Sequence, residues 1–203
     1  MASHQIFTIG HSTHSLDSFL AVLKAHEVST VGDVRSAPYS RFNPVFNREP
    51  LKQELKDRGI YYVFLGKELG GRPSDPACYE RGRADYVKMA ATDLFRTGLQ
   101  RVLEGSVSHR IALMCSEADP LDCHRTLLVA RALAERGVSI AHIRRDGTVE
   151  THAEAEDRLI RSAGLSGNLL RSRDEALADA YILQAGRVAY VEQPATSAAA
   201  KAK

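Results

Sequence analysis

Residues 111–136, IALMCSEADPLDCHRTLLVARALAER, contain the pattern on which the fold prediction depends. The apolar run at 111–115 has the length of a buried strand, and a short polar loop follows it. Asp119 and Pro120 are a typical N-cap and first-turn pair, so they predict a helix over residues 120–136. The stretch is therefore predicted to form one strand, one loop and one helix of a parallel sheet.

Strand and helix patterns alternate along the rest of the chain. Apolar runs predict five strands, at residues 6–9, 30–34, 61–65, 111–115 and 138–143. Helical periodicity predicts helices at residues 16–26, 49–58, 84–103, 120–136 and 153–162. Parallel neighbours need a crossover connection of about a dozen residues or more, and these helices supply it. The expected fold class is α/β, a three-layer αβα domain with a mostly parallel sheet of about five strands in undetermined order.

The pattern weakens towards the C-terminus. We predict an α/β catalytic-type domain over residues 1–163 and a short helical extension over residues 164–193 that packs on it. The extension contains a predicted helix at 173–184, and residues 188–191 either extend this helix or form a short strand. The Ala, Ser and Lys tail at 194–203 is predicted to be disordered.

Composition narrows the class of protein. Of the 203 residues 44% are apolar and 26% are charged, and no uninterrupted apolar run is long enough to span a membrane. The amino terminus lacks the basic and apolar blocks of a secretory signal, so a cytoplasmic location is expected. A net charge of +2 is too small to imply wholesale binding of nucleic acid, and it leaves the partner and the oligomeric state open.

Polar and titratable residues follow the predicted strands, where ligands of open parallel sheets bind. The candidate site residues after the first, second and fourth strands are His11 and Ser12, then Asp33, Arg35, Ser36, Tyr39 and Arg41, then Cys115, Glu117, Cys123, His124 and Arg125. Because the carboxyl ends of parallel strands meet at one edge of a sheet, we expect these side chains to gather there.

The two cysteines of this set allow several interpretations. Three cysteines without an export signal predict reduced thiols. If Cys123 and His124 lie in the first turns of the helix after Asp119, the helix amino terminus would favour a thiolate or a bound anion. The alternatives are packing in the core, a metal site of Cys115, Cys123 and His124, and a reversible disulfide. The sequence lacks the paired spacing of structural zinc sites, and we assign neither a metal nor another cofactor. Cys78 is expected to be incidental.

Two carboxylates are candidate acids or bases. Glu117 is expected on the loop that faces the cleft, where partial burial would raise its pKa towards a range useful for proton transfer. Asp33 is either a second acid or base or the ion-pair partner that orients Arg35 or Arg41. His11 follows a glycine directly after the first strand and is a candidate proton acceptor, and the neighbouring Ser12 is equally suited to cap the next helix.

Four arginines are expected at the same edge, where their planar guanidinium groups suit phosphate or carboxylate recognition. They are Arg35, Arg41, Arg72 and Arg125. Tyr39, Phe42 and Phe46 interleave with Arg41 and Arg48, a mixture that suits stacking on a base or, alternatively, packing into the core. The predicted substrate-binding residues are Arg35, Arg41 and Arg125 together with Ser12, Ser36, Tyr39, Cys123 and His124.

These residues also carry a resemblance. Four segments carry it: TIGHS at 8–12, DVRS at 33–36 with Pro38 and SR at 40–41, LG at 65–66 with ELGG at 68–71, and LMC at 113–115 with Glu117 and CHR at 123–125. In these segments the chain resembles the family known as domain of unknown function 488. The resemblance covers roughly residues 5–150. It implies no established reaction, but it implies that this edge of the sheet is the characteristic surface of the family.

The sequence supports two classes of function. The first is an enzyme that binds a phosphate-bearing substrate, a nucleotide or nucleic acid, and hydrolyses it, for example at an N-glycosidic bond, with Glu117 or Asp33 as general base. A nucleophilic Cys115 or Cys123, with His11 or His124 as proton acceptor, is the competing mechanism. The second class is a metal-binding or thiol redox sensor that uses Cys115, Cys123 and His124.

Overall fold

A computed structural model describes residues 5–166 and 171–192. Its main sheet has six strands, in the spatial order β3-β2-β6-β1-β7-β8. They are β1 (Gln5–Gly10), β2 (Thr30–Asp33), β3 (Tyr61–Phe64), β6 (Ile111–Cys115), β7 (Ser139–Ile143) and β8 (Val149–Thr151), and β4 (Tyr79–Glu80) and β5 (Arg83–Ala84) form a separate antiparallel pair. The first five of these six strands are mutually parallel and β8 is antiparallel. The predicted α/β class with a mostly parallel sheet is therefore confirmed.

Helices cover both faces of the sheet. They are α1 (Leu16–Ala25), α2 (Arg48–Lys56), α3 (Gly66–Leu69), α4 (Tyr86–Ala90), α5 (Asp93–Ser106), α6 (Arg131–Ala134), α7 (His152–Ser162) and α8 (Arg173–Val188). Alternate residues of one strand belong to different cores, because side chains of a strand point to opposite faces. Phe7 of β1 packs with Phe19 of α1 on one face, and Ile6 packs in the core that includes Leu99 of α5 on the other. The three layers follow from this arrangement.

The predicted helix at 84–103 is in fact two helices. The chain leaves helical geometry between α4 and α5, where Thr92 adopts an extended backbone and its hydroxyl accepts a hydrogen bond from the amide of Phe95. Asp85 caps α4 in the same way, by accepting from the amides of Val87 and Lys88. Two capping side chains thus divide a stretch whose periodicity alone predicts one continuous helix.

The predicted helix at 120–136 is also divided, and this change affects the site. Residues Pro120–Asp122 form a short turn of 3-10 helix that Asp119 caps, and Cys123 is extended, with φ −140° and ψ 139°. A π-helical segment, Arg125–Ala130, then leads into α6. Cys123 therefore precedes the longer helical segment, and the prediction that it lies in the first turns of one continuous helix is wrong.

The C-terminal segment contacts the body of the protein through α8. Tyr181 and Ala180 of α8 share a core with Leu159 of α7. Beyond α8, the amide of Ala84 donates to the carbonyl of Tyr190 at 2.8 Å, and Val191 pairs with Arg83 in an isolated bridge. The predicted tail at 194–203 lies outside the described residues. Within 5–166 and 171–192, no helix has the length and hydropathy needed to cross a bilayer.

Candidate functional site

A cavity of about 190 Å³, here called the edge cavity, opens at the carboxyl edge of the sheet. Its walls come from the loops after β2 and β6, from the loop after α3, from α4 and from the segment around the end of α8. The lining residues are Arg35, Ser36, Ala37, Gly71, Arg72, Tyr86, Cys115, Ser116, Glu117, Asp122, Cys123, His124, Val188 and Tyr190. Residues far apart in the chain therefore meet around one small volume.

A close approach between two strand ends positions the loop that carries Glu117. The amide of His11 donates to the carbonyl of Cys115 at 2.9 Å, and the amide of Ser12 donates to the carbonyl of Ser116 at 2.8 Å. A Cβ atom on Gly10 would lie 1.8 Å from the carbonyl oxygen of Glu117. This distance is far shorter than a van der Waals contact, so any side chain at position 10 would clash with that oxygen. Glycine at position 10 is thus required for the loop after β6 to lie against the end of β1.

Two thiols and one imidazole form the centre of the site, here called the thiol cluster (Cys115, Cys123 and His124). The Nδ1 atom of His124 lies 3.9 Å from Sγ of Cys115 and 3.8 Å from Sγ of Cys123. All three candidate ligand atoms lie within 4.8 Å of one another. The structure thus brings together three residues that the sequence separates by up to nine positions, and it leaves both cysteines in the free thiol state.

The imidazole of His124 has a defined orientation. Its Nε2 atom lies 2.9 Å from the carbonyl oxygen of Val34, which can only accept, so Nε2 carries a proton. In the neutral ring, Nδ1 then presents its lone pair to the two thiols. Gly71 packs against the ring, since a Cβ there would lie 2.8 Å from two ring atoms. The backbone on both sides therefore holds the ring in place.

The two thiols have opposite acid-base properties. The hydrogen bond with Cys123 and burial together raise the pKa of Cys115 well above its usual value. Burial opposes ionisation of Cys123, but the hydrogen bond from Cys115 and the positive charges of Arg125 and His124 outweigh burial and hold the pKa of Cys123 well below its usual value. Burial opposes protonation of His124, but the negative charge of Cys123, the hydrogen bonds with Cys123 and Val34 and the charge of Glu117 together outweigh burial and raise the pKa of His124. Cys123 is therefore the thiol of the pair that ionises more readily.

Glu117 reaches the thiol cluster from the solvent side. Glu117 is exposed, yet its Oε2 accepts a hydrogen bond from Sγ of Cys123 at 3.0 Å. Desolvation by the surrounding walls and the charge of Cys123 raise the pKa of Glu117, as expected for a loop carboxylate of this kind. The arrangement places a proton acceptor at the entrance to the thiols.

Asp33 does not face the cavity, in contrast to its predicted role as a catalytic base. It is fully buried, and its carboxylate accepts from Nε of Arg35 at 2.9 Å, from Nη2 of Arg35 at 2.6 Å and from the hydroxyl of Tyr62 at 2.6 Å. The alternative interpretation, an ion-pair partner that orients Arg35, describes the structure. Arg35 in turn lies at a wall of the edge cavity with most of its donors engaged by protein atoms.

His11 belongs to the same buried network. Its Nε2 atom lies 3.2 Å from Nη1 of Arg35, and its ring stacks on Phe46 at 4.4 Å between centroids. Burial, followed by the charge of Arg35, lowers the pKa of His11 to about 4. The neutral ring of His11 therefore packs and hydrogen-bonds behind the cavity wall. This geometry does not support the predicted role of His11 as a proton acceptor.

Arg125 is likewise enclosed by protein atoms and lies outside the lining of the edge cavity. It is completely buried, with Nη1 donating to the carbonyl of Glu117 at 2.7 Å and Nη2 to that of Ala118 at 3.3 Å. The predicted contact between Arg125 and a phosphate group is therefore replaced by a structural role, in which the guanidinium supports the loop that carries Glu117. Its charge still acts on Cys123 from behind.

The loop after β2 divides the remaining predicted residues. Ser36 lines the edge cavity, and its hydroxyl accepts from the amide of Arg72, which also lines it. Tyr39 and Arg41 are exposed residues outside the cavity lining, and the guanidinium of Arg41 lies over the ring of Phe42 at 4.7 Å. Ser12 also lies outside the lining. Among the four expected arginines, Arg35 and Arg72 are the ones that reach the cavity.

Sequence reasoning missed the aromatic wall of the cavity. Tyr86 comes from α4, and Tyr190 follows α8, where it lies 4.7 Å below the guanidinium of Arg72. Neither tyrosine follows a parallel strand, so the rule that places ligands at strand ends cannot find them. The only sequence signal is the N-cap Asp85 beside Tyr86, which predicts a helix start and not a site.

The fold and the cavity define a class: an α/β protein with thiols, an imidazole and a carboxylate at the carboxyl edge of a mostly parallel sheet. The family described as "Domain of unknown function DUF488" matches residues 15–132, more than half of the chain, and the chain belongs to this family. The matched region includes all of the thiol cluster, and the resemblance inferred from the sequence is confirmed. No curated protein and no solved structure matches the chain.

Proposed function

We propose that the chain is a hydrolase that acts on a small anionic substrate in the edge cavity, with Glu117 as the general base. The observation that carries the proposal is the position of Glu117: an accessible carboxylate on the same cavity wall as the thiol cluster. Asp33, the other predicted base, is enclosed by Arg35 and Tyr62, so Glu117 is the candidate that a substrate can reach.

The proposed reaction needs one water molecule. Glu117 takes a proton from the water as the water oxygen forms a bond to the reacting centre of the substrate. The bond from that centre to the leaving group breaks, the leaving group departs with the electron pair, and Glu117 returns the proton to it. Atoms and charges balance without a further reactant.

Positive charge and cavity size support an anionic substrate. Arg72 is exposed at the cavity, and it has no carboxylate partner within 4.0 Å in the described ranges. An arginine stacked on Tyr190 retains its planar donors for a phosphate or carboxylate group. Pockets that enclose whole drug-sized ligands usually measure about 300–1,000 Å³, so the cavity admits a small molecule or the reacting part of a larger one. A nucleotide, or a nucleotide unit of a nucleic acid with its N-glycosidic bond, is the substrate class that we favour.

The test is a hydrolysis screen against nucleotides, nucleosides and phosphate esters, with purified Glu117→Gln as the key variant. We expect the variant to lose about 100-fold to 10,000-fold in kcat, the range typical of a lost general base. Glu104→Gln is the matched control, because Glu104 is an exposed glutamate on α5 whose carboxylate accepts from Gln100. Equal turnover by Glu117→Gln and the wild type would remove Glu117 from the mechanism.

The contacts of Cys123 favour a second candidate, a thiol-dependent enzyme. Its Sγ atom accepts from the amide of Arg125 at 3.4 Å and lies near His124, a combination that favours thiolate. In this mechanism the Cys123 thiolate forms a bond to the reacting centre as the bond to the leaving group breaks, and the leaving group departs with the electron pair and takes up a proton. Water then attacks the covalent intermediate, breaks its bond to sulfur and regenerates the thiolate. Mass spectrometry of rapidly quenched turnover mixtures distinguishes the two, since only the thiol mechanism yields an adduct on the Cys123 peptide.

A further inference from the structure

We propose that the thiol cluster binds one thiophilic divalent metal ion of the zinc class, with a fourth coordination position open to the edge cavity. The inference deepens the proposed hydrolysis by naming the group that would hold the attacking water, and it rests on that proposal for the role of the ion. The binding itself is argued from the geometry of Cys115, Cys123 and His124 alone.

The spacing of the three side chains fits a tetrahedral site. Zinc binds cysteine sulfur at about 2.3 Å and histidine nitrogen at about 2.0–2.1 Å, so neighbouring ligand atoms around it lie roughly 3.5–3.8 Å apart. In the thiol cluster the two sulfur-to-nitrogen distances are 3.9 and 3.8 Å, and no pair exceeds 4.8 Å. The two sulfur-to-nitrogen distances lie within a few tenths of an ångström of this spacing. The two sulfur atoms, at most 4.8 Å apart, would have to approach each other by up to about 1 Å, which small rotamer adjustments of both cysteines can supply.

The orientation of His124 provides a second argument. Histidines that bind metals commonly donate the proton of their other ring nitrogen to a carbonyl or carboxylate, which fixes the tautomer. Here Nε2 of His124 donates to the carbonyl of Val34 at 2.9 Å, and Gly71 confines the ring. Nδ1 is therefore the free ligand atom, and it is the one that points at both sulfurs.

The charge balance also favours a cation. Two thiolates and one neutral imidazole neutralise a divalent ion, and soft sulfur ligands select zinc over magnesium or calcium. Cys115 and Cys123 are 3% and 2% exposed, so both sulfur atoms are held away from bulk water beside His124. An ion at the centre of the cluster would stabilise both as thiolates.

The open position is what connects the ion to the proposed reaction. Three protein ligands with a fourth site left for water are the arrangement of catalytic zinc, whereas structural zinc has four protein ligands. All three members of the cluster line the edge cavity, as does Glu117. A zinc-bound water is easier to deprotonate than free water, and Glu117 would take its proton.

The test uses untagged, fully reduced full-length protein titrated with Zn²⁺ or with Co²⁺ as a spectroscopic substitute. We expect one ion per chain, and the cobalt form should show a sulfur-to-metal charge-transfer band and the intense visible bands of tetrahedral coordination. Cys115→Ser, Cys123→Ser and His124→Asn should each lose this stoichiometric binding. Cys78→Ser should keep it, because Cys78 is a third buried thiol that lies outside the thiol cluster.

X-ray absorption on the zinc-loaded wild type keeps the inference testable if a variant fails to fold. Two sulfur ligands at about 2.3 Å with nitrogen or oxygen ligands at about 2.0 Å are expected. No binding by the reduced wild type, or a bound ion without sulfur ligands, would overturn the inference. The binding measurement needs no substrate, so the two proposals can fail separately. Hydrolysis by a protein that binds no metal would overturn the metal site and leave the proposed function, whereas stoichiometric zinc without hydrolysis of any substrate screened would leave the metal site and overturn the proposed function.

Discussion

The Sγ atom of Cys123 lies 3.0 Å from Oε2 of Glu117. This contact joins the two chemical groups of the site, since Glu117 is open to solvent and Cys123 is buried beside Cys115 and His124. It depends on an extended backbone at Cys123 and on the close approach of the Glu117 loop to Gly10. Substitutions around the contact therefore test the architecture as well as the chemistry.

Gly10→Ala should destabilise the protein and displace the loop that carries Glu117. The added Cβ would lie 1.8 Å from the carbonyl oxygen of Glu117, so the backbone must shift, at an expected cost of about 1–3 kcal/mol in the free energy of unfolding. Urea denaturation measures the change. Gly186→Ala is the control, because no atom of the described residues lies within 4 Å of its Cβ position in α8 and alanine favours helix. Equal stability of Gly10→Ala and the wild type would contradict the close approach.

Asp33→Asn should cost about 3–5 kcal/mol in the free energy of unfolding, because it leaves the buried guanidinium of Arg35 without its charged partner. The matched control is Asp93→Asn. Asp93 also pairs with an arginine, but its side chain is 97% exposed, and we expect less than about 1 kcal/mol. Denaturation curves of the two variants give the comparison. Similar effects would show that burial does not decide the strength of the Asp33 contact.

Stability should fall in mild acid because of a buried histidine pair. Nε2 of His142 lies 3.0 Å from Nδ1 of His152, and Nδ1 of His142 contacts the hydroxyl of Thr8 at 2.8 Å. Burial, and then the neighbouring His152, lower the pKa of His142 well below its usual value, and burial also lowers the pKa of His152. The unfolded chain therefore binds protons that the folded chain does not. This contribution to stability is complete above about pH 6.5, the unfolded pKa, and decreases as the pH falls below it.

The measurement is the free energy of unfolding of the wild type and of His142→Gln at several pH values from neutral to mildly acidic. We expect a shallower decline for His142→Gln, whatever its stability at neutral pH. His109→Gln, at an exposed position before β6, should retain the slope of the wild type. Parallel curves for His142→Gln and the wild type would exclude the pair as the source of the acid sensitivity.

Arg72→Ala should weaken substrate binding more than it slows turnover. A hydrogen bond to a charged group contributes about 1.5–3 kcal/mol, so KM should rise roughly 10-fold to 150-fold for the substrate found by screening. Arg96→Ala is the control, because Arg96 is exposed on α5 and pairs with Asp93 instead of lining the edge cavity. An unchanged KM would show that the substrate does not contact Arg72.

The site was only partly accessible to prediction. Cys115, Cys123, His124, Glu117 and Ser36 follow strands and do line one cavity, because chain order alone places the carboxyl ends of parallel strands at one edge. The roles of Asp33 and Arg125 were not predictable in the same way. Asp33 is the last residue of β2 and Arg125 follows β6, and a linear pattern does not tell whether a charge faces solvent or a buried partner.

The sequence by itself determined the α/β class, the positions of the five parallel strands and the thiol, imidazole and carboxylate set, because apolar periodicity and loop position are local properties. Only the tertiary structure decided the strand order, the break at Cys123 and the addition of Tyr86 and Tyr190 to the cavity. It also decided that Arg125 supports a loop instead of meeting solvent. The physical reason is that these features depend on which distant groups satisfy each buried charge and hydrogen bond, and packing of the whole chain selects those partners.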